Sequence, residues 1–240
     1  MKPQGLLVIL LFTIGCSSAQ INQTIDSLKT ATGSNEPTES EVGSGLQEAL
    51  IVGIKIGANL ASKEDGYFKN EKIKIHFPPE IQYVEDKLRK IGLDDQVDDM
   101  VLSLNRGAED AAKSAVPIFV TAIKGMTMED VWGILKGEEN AATNYLKGKT
   151  SEQLITRFSP IMKQSLDKVH ATEIYGNVIG TYNKIPFVDD VNPDLNQYAT
   201  QKAVDGLFVM IAEQEKLIRF DPLARTTDLL KKVFGWNSNN

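Results

Sequence analysis

The sequence predicts an all-α fold: a single multi-helix bundle with at most a short two-stranded ribbon. Three observations predict it. Apolar side chains recur every three or four positions from Leu46 to Phe234, the spacing that lines one face of an α-helix. Glycine, proline and capping residues punctuate that pattern at short intervals, so loops are short and neighbouring helices pack antiparallel. Strict alternation of apolar and polar residues, the mark of a half-buried strand, stands out at Ile73, Ile75 and Phe77 and stops at Pro78-Pro79.

Residues 1–15 read as an export leader. Lys2 gives a positive start, and Gly5 to Ile14 is an uncharged apolar run, too short to cross a bilayer core of about 30 Å as a helix. Two cleavage patterns overlap behind it. Thr13-Ile14-Gly15-Cys16 resembles a lipoprotein box, with Thr13 where leucine is usual. Ser17-Ser18-Ala19 before Gln20 resembles an ordinary small-x-small site. The chain's one cysteine directly after Gly15, at the end of the apolar run, favours lipidation of Cys16. Either pattern takes the mature chain out of the cytoplasm. Residues 16–43 read as a flexible tether, rich in Ser, Thr, Asn, Gly and Glu.

The helical domain is expected over residues 44–236. Its first helix, to about Ser62, carries Leu46, Ala49, Leu50, Gly53, Ile54, Gly57, Leu60 and Ala61 on one face. Gly53 and Gly57 there predict the close approach of another helix. Lys63 to Gly66 is a turn. Residues 73–77 read as a short strand, with Ile185 to Val188 as its candidate partner. Pro79 opens a helix with Ile81, Val84 and Leu88 inward, ended by Gly92. Asp94 begins the next, with a stripe of Val97, Met100, Val101, Leu104, Ala108, Ala111 and Ala115, limited by Pro117. Ile118 to Ile123 is a short helix, and Thr127 with Asp130 caps another through Leu135. Helices over 138–146, 150–169 and 171–183 follow, broken by glycines and Pro160. Asp194 to Arg219 is the longest candidate, apolar on nearly all sides from Ala203 to Ala212, as befits a central helix. A final helix follows Pro222, with Thr226 and Asp228 as its cap and Lys231 and Lys232 at its end. Residues 237–240 are a polar tail.

Several blocks within this domain look like one known family. They are Leu60-Ala61-Ser62-Lys63-Glu64-Asp65-Gly66-Tyr67, Pro78-Pro79-Glu80, Leu104-Asn105-Arg106-Gly107-Ala108-Glu109, Pro117-Ile118-Phe119, Tyr182-Asn183-Lys184-Ile185-Pro186, Asp205-Gly206-Leu207-Phe208, and the long run Ala224-Arg225-Thr226-Thr227-Asp228-Leu229-Leu230-Lys231-Lys232-Val233-Phe234-Gly235. On these the chain resembles the bacterial domain-of-unknown-function family 4197. The resemblance implies an all-helical envelope protein, often with a lipoprotein-like N-terminus. It implies no activity and carries over no functional residues.

Composition narrows the function classes. With 26 basic and 32 acidic residues the net charge is −6, and losing Lys2 with the leader makes it −7. That gives no support to nucleic-acid binding, which needs a basic footprint. One cysteine excludes an intrachain disulfide. No nucleophile elbow, phosphate-cradling loop, paired-histidine helix or CxxC occurs. No cofactor and no metal site are expected, and no catalytic residue is assigned. Asp94, Asp95, Asp98 and Asp99 read as anions welcomed at a helix N-terminus rather than as a cation site. Asp190-x-Asn192-x-Asp194 has the opening spacing of a calcium loop, but Leu195 and Gln201 replace its glycine and glutamate, so a turn and helix start is preferred. His170 at a helix end reads as a cap, and His76 lies on the wet side of the strand.

Asp205 on the apolar helix is the sharper case, because an unpaired carboxylate is costly to bury. Arg106, Arg157 or Arg225 are its candidate partners, and a ligand-facing carboxylate is the alternative. Arg106 with Glu109 and Asp110 has the spacing of a surface ion pair. Tyr67, Phe68, Tyr182, Phe187 and Phe208 are core aromatics by default and pocket candidates otherwise. Asp205, Arg106 and Tyr182 are therefore the candidate ligand-binding residues.

Two functions fit. One is a lipid-anchored cell-envelope protein, facing the periplasm or exterior, that binds an unknown protein or a small apolar ligand without catalysis. Its membrane contact is through lipidated Cys16. The other is a periplasmic hydrolase or lyase using carboxylates such as Asp205 with Glu213 or Glu109.

Overall fold

The computed structural model describes residues 37–90, 92–184, 186–187, 190–225 and 227–237. Cys16, the leader and most of the expected tether lie outside them. Among the described residues the fold is all-α, with nine α-helices and no strand. None of these helices is long and apolar enough to cross a membrane.

The first helix, α1, spans Glu39–Ser62. It begins five residues before the expected start at Ser44. Thr38 and Glu41 form a reciprocal capping box: the Glu41 N–H donates to the Thr38 hydroxyl, and the Thr38 N–H donates to the Glu41 carboxylate. This pattern starts a helix before its apolar stripe begins at Val42. A turn over 63–68 follows, with Asp65 in the left-handed region at φ 66°.

Residues 74–78 are irregular, and Ile73, Ile75 and Phe77 are buried as their alternation predicts. They form no strand, however. The backbone of Ile75 pairs with a side chain instead. Its N–H donates to Asn105 Oδ1 at 2.8 Å, and Asn105 Nδ2 donates to its carbonyl at 2.9 Å. The carboxamide presents one donor and one acceptor in nearly the spacing of a peptide group, so it stands in for the missing strand. Two residues of the expected partner, Ile185 and Val188, lie outside the described residues. The same device recurs at Asn183, whose carboxamide holds both backbone groups of Val191.

Pro79–Ile81 is a single 3₁₀ turn leading into α2 (Gln82–Lys90). Gly92, at φ 83°, takes the left-handed conformation that closes it. α3 (Asp94–Ala112), α4 (Val116–Lys124) and α5 (Met128–Leu135) follow. Thr127 and Asp130 make the expected capping box of α5.

Of the three segments read between 138 and 183, the first two merge and the third stands as expected. α6 (Ala141–Asp167) is one uninterrupted helix of 27 residues, one longer than the helix expected to be longest. Its buried ridge is Ala142, Leu146, Thr150, Leu154, Phe158, Met162 and Leu166. Thr150 looks like a helix start in sequence but sits in that ridge, its hydroxyl donating to the Leu146 carbonyl at 2.7 Å. Gly148, Thr156 and Pro160 all lie on the exposed side. The carbonyl that Pro160 cannot pair is therefore open to water, and the helix continues through it. α7 spans Ala171–Tyr182.

α8 (Leu195–Phe220) is central, as its apolar circumference predicts, and packs against α1, α3, α6 and α7. It crosses α1 antiparallel: Gly53 faces Gln214 and Ile218, and Gly57 faces Met210. A Cβ on Gly57 would lie 3.2 Å from the Met210 carbonyl oxygen, so the helix backbones approach as the glycine pair predicts.

A 3₁₀ turn at Pro222–Ala224 leads to α9 (Asp228–Asn237). The Thr227 hydroxyl accepts from the Leu230 N–H; Thr226 lies outside the described residues. Lys231 and Lys232 are mid-helix rather than terminal, paired with Asp228 and Glu41. Buried side chains from every helix except α2 form one core, joined by the partly buried Leu88 of α2. Each Leu, Ile or Phe in it contributes about 1.5–3 kcal/mol on burial.

Replacing Asn105 by Ala leaves the buried N–H and C=O of Ile75 without partners. We expect the free energy of unfolding in urea to fall by about 2–4 kcal/mol, one desolvated group at each end of the lost carboxamide. A loss below about 0.5 kcal/mol, the range of a neutral surface substitution, would show that the side-chain pairing is dispensable.

Candidate functional site

Charged side chains cluster at three places where helices start, end or turn. At the turn after α1, the buried Glu109 of α3 accepts the N–H groups of Tyr67 and Phe68 at 3.1 and 3.2 Å. Its other oxygen takes Arg106 Nη1 at 2.6 Å, and Arg106 Nη2 reaches Asp65 at 2.8 Å. The expected surface pair of Arg106 and Glu109 is thus half buried and ties a turn to a helix, while Asp110 pairs with Lys113. Lys69 foremost, and Arg106 with it, hold the Asp65 carboxyl below the usual carboxylate range. Burial, reinforced by the Glu109 charge, pushes the Tyr67 phenol far above its ordinary range. The phenol stays protonated and donates to the Ala203 carbonyl at 2.6 Å.

The second cluster joins α8 to α6. Asn140, at the start of α6, makes no side-chain cap. Glu215 of α8 does that work from a neighbouring helix. It accepts the N–H groups of Ala142 and Thr143 at 3.0 and 2.8 Å and the Thr143 hydroxyl at 2.7 Å. Arg219 donates to Glu215 through Nε and Nη2 and to the Ile134 carbonyl at the end of α5. Third, the buried Arg225 closes the C-terminus of α8, donating to the carbonyls of Ile218 and Arg219.

Of the expected ligand-binding residues only Arg106 belongs to these clusters. Asp205 is not buried: its carboxylate is 40% exposed and pairs with Lys147 at 3.5 Å, not with Arg106, Arg157 or Arg225. Glu213 pairs with Lys72. Tyr182 is half buried against the core. Among the described residues, Asp205, Arg106 and Tyr182 share no hydrogen bond or ion pair with one another. Tyr67 and Phe208 are core residues, as the default reading has it, with Phe208 edge-on to Phe119. Phe187 is fully exposed at a positive φ of 67°.

Asp94 and Asp95 occupy the first turn of α3, and Arg89 reaches Asp94 and Asp98. Asp194 caps α8, and Asn192 accepts the Asp194 N–H, so the Asp190 to Asp194 stretch is a turn and a helix start. His170 stands at the N-cap position of α7, but its side chain makes no cap bond. Among the described residues no group of three His, Cys, Asp or Glu is placed to hold a metal.

Sequence reasoning missed Glu215, Arg219 and Asn105. The signal for the first pair was present. Glu215 continues the buried stripe of Leu207, Ile211 and Ile218, and Arg219 follows four residues later.

What the helices do leave open is a cleft. Phe77, Ile81, Leu88, Met100, Ile174 and Val178 wall a narrow apolar crevice between α2, α3 and α7, with open room of about 20 Å³, and Glu85 and Tyr175 also line it. Tyr175 also borders a wider polar mouth that includes Asn192, Gln197, Tyr198 and Lys202. Its hydroxyl donates to the Asn192 carbonyl at 3.2 Å, and that of Tyr198 donates to the His76 carbonyl at 3.1 Å. Neither space is lined by Asp205, Glu213 or Glu109.

Set beside known proteins, the chain matches over residues 36–235 the model of a family described as a protein of unknown function, DUF4197. The chain belongs to the DUF4197 family. The match spans all nine helices but for the last residues of α9, in agreement with the resemblance drawn from the sequence blocks. No curated protein and no solved structure matches it.

Removing one member of the Glu215 cluster strands the others. Glu215→Ala is expected to cost about 3–5 kcal/mol in urea unfolding, as for one partner of a buried pair. Asp205→Ala, at an exposed pair, should cost under about 1 kcal/mol. Equal effects would contradict this assignment of roles.

Proposed function

We propose that this DUF4197 protein is an exported cell-envelope protein, lipid-anchored through Cys16, whose helical domain is a non-enzymatic binding module for a small ligand with an apolar part. The leader pattern and the placement of Cys16 support export and anchoring. The apolar cleft beside Tyr175 carries the binding half of the reading. Its walls are apolar side chains of packed helices and of the segment after Ile75, which Asn105 fixes; its open room of about 20 Å³ takes the apolar end of a ligand once Ile174 or Leu88 moves aside, and the polar groups of the adjoining space would orient the rest. The carboxylates an acid–base enzyme would need serve elsewhere. Glu109 is engaged by two backbone N–H groups and an arginine, and Asp205 and Glu213 by lysines.

Two measurements test the two halves. Mass spectrometry of the chain isolated from native envelopes should find an acylated Cys16 as its first residue; a mature chain beginning at Gln20 would remove the anchor and keep the export. For the cleft, N-phenyl-1-naphthylamine should gain fluorescence on binding, and Ile174→Glu should weaken that binding at least about tenfold, the equivalent of 1.4 kcal/mol. Equal binding by both proteins, or none by either, would sink the cleft as the ligand site.

A further inference from the structure

Leu217 and Phe220 lie three residues apart on α8 and are 46% and 59% exposed, and Leu223 in the following turn is 90% exposed. These three exposed side chains stand near one end of the bundle, with Glu138 and Glu139 lining a groove beside Phe220. That end is fixed by the antiparallel crossing of α1 and α8. Met210 lies opposite Gly57, Gln214 and Ile218 opposite Gly53, and Ile218 and Arg219 border a cleft with Leu46, Ala49 and Leu50. The C-terminus of α8 therefore points toward the start of α1, where the chain enters the fold at Thr38. α9 folds back along the same stretch, with Val233 against Gly45 and Lys232 paired to Glu41. Chain entry and the three exposed side chains share one end.

Only residues 17–37 separate that entry from Cys16, a reach of at most about 75 Å. An acyl anchor on Cys16 would hold this end near the bilayer. Three side chains are too few to bind a membrane from free solution, but tethering raises their effective concentration and makes a weak contact sufficient. Charge does not supply the attraction: Lys216 pairs with Glu139 and Arg219 with Glu215, and the whole chain is acidic.

We infer that Leu217, Phe220 and Leu223 form a membrane-contact edge that rests in the lipid surface when the protein is anchored, an inference that depends on the anchoring proposed above. Insertion is driven by apolar burial and is indifferent to anionic headgroups.

The test uses the full acylated chain in vesicles of phosphatidylethanolamine and phosphatidylglycerol, three to one. With Cys16 acylated, Leu223→Cys supplies the one free thiol, which is labelled with an environment-sensitive nitrobenzoxadiazole dye. Tyr83→Cys is the control. Its helix α2 lies toward the opposite end, since His76, shortly before it, meets Tyr198 near the start of α8. Doxyl-labelled lipid should quench the dye at 223 at least threefold more than at 83. Phe220→Ser with Leu217→Ser should abolish the difference, and replacing phosphatidylglycerol by phosphatidylcholine should preserve it. Equal quenching at both positions in protein that floats with the vesicles overturns the contact edge and leaves the anchor standing. Protein that neither floats nor carries an acyl group removes both.

Discussion

The antiparallel contact of α1 and α8 through Gly53 and Gly57 is the constraint on which the rest of this fold depends. With no Cβ at Gly57, the α1 backbone lies against the Met210 peptide of α8, close enough for side chains on both flanks to interdigitate. α8 is apolar on most of its circumference, so one neighbour cannot cover it. α3, α6 and α7 close the remaining sides, and the positions of α4, α5 and α9 follow from what α1 and α6 leave exposed. A side chain at position 57 would push apart the two helices that most of the others use as a surface.

Packing helices around a central one leaves a second problem at their ends and in the segments between them, where backbone groups are buried without a helical partner. This protein solves it with side chains reaching from other elements. Asn105 serves Ile75, Asn183 serves Val191, Glu109 serves Tyr67 and Phe68, Glu215 serves the start of α6, and Arg225 serves the end of α8. Each is polar where an apolar residue would leave a peptide group unpaired. The buried charges of Glu109, Glu215 and Arg225 thus hold backbone groups in place.

The same distinction sets how much was legible in the sequence. Features determined within a few residues could be read directly: the capping box of α5, the stripe of α3, the central character of α8 and the glycine pair of α1. The capping box at Thr38 and Glu41 was equally local but hidden by the polar stretch around it. Thr150 misled because a threonine in a buried ridge satisfies its own hydroxyl against the preceding turn, and nothing local tells that from a helix start. Pro160 misled because the cost of a helical proline depends on whether the freed carbonyl meets water, a property of the packed face. The candidate site was less legible. Asp205 looked embedded because its neighbours in sequence are apolar, yet the helix turns it to Lys147 at the surface. Glu215 looked ordinary, although its partners lie about seventy residues away along the chain and sequence spacing cannot report them.

Both ends of α8 matter to the functional reading. Tyr198 and Lys202 near its start border the polar mouth, whose Tyr175 also edges the apolar cleft. Phe220 at its other end stands beside the point where the chain enters the fold. A helix of 26 residues rising 1.5 Å each separates them by roughly 30 Å. A domain held at its entry end, as proposed above, would carry the mouth away from the attachment surface. Glu109 and Glu215, the buried carboxylates of the ion-pair clusters, are held by backbone N–H groups and line neither space that Tyr175 borders. Filling the cleft would then leave their geometry intact, so that ligand binding and fold stability respond to different substitutions.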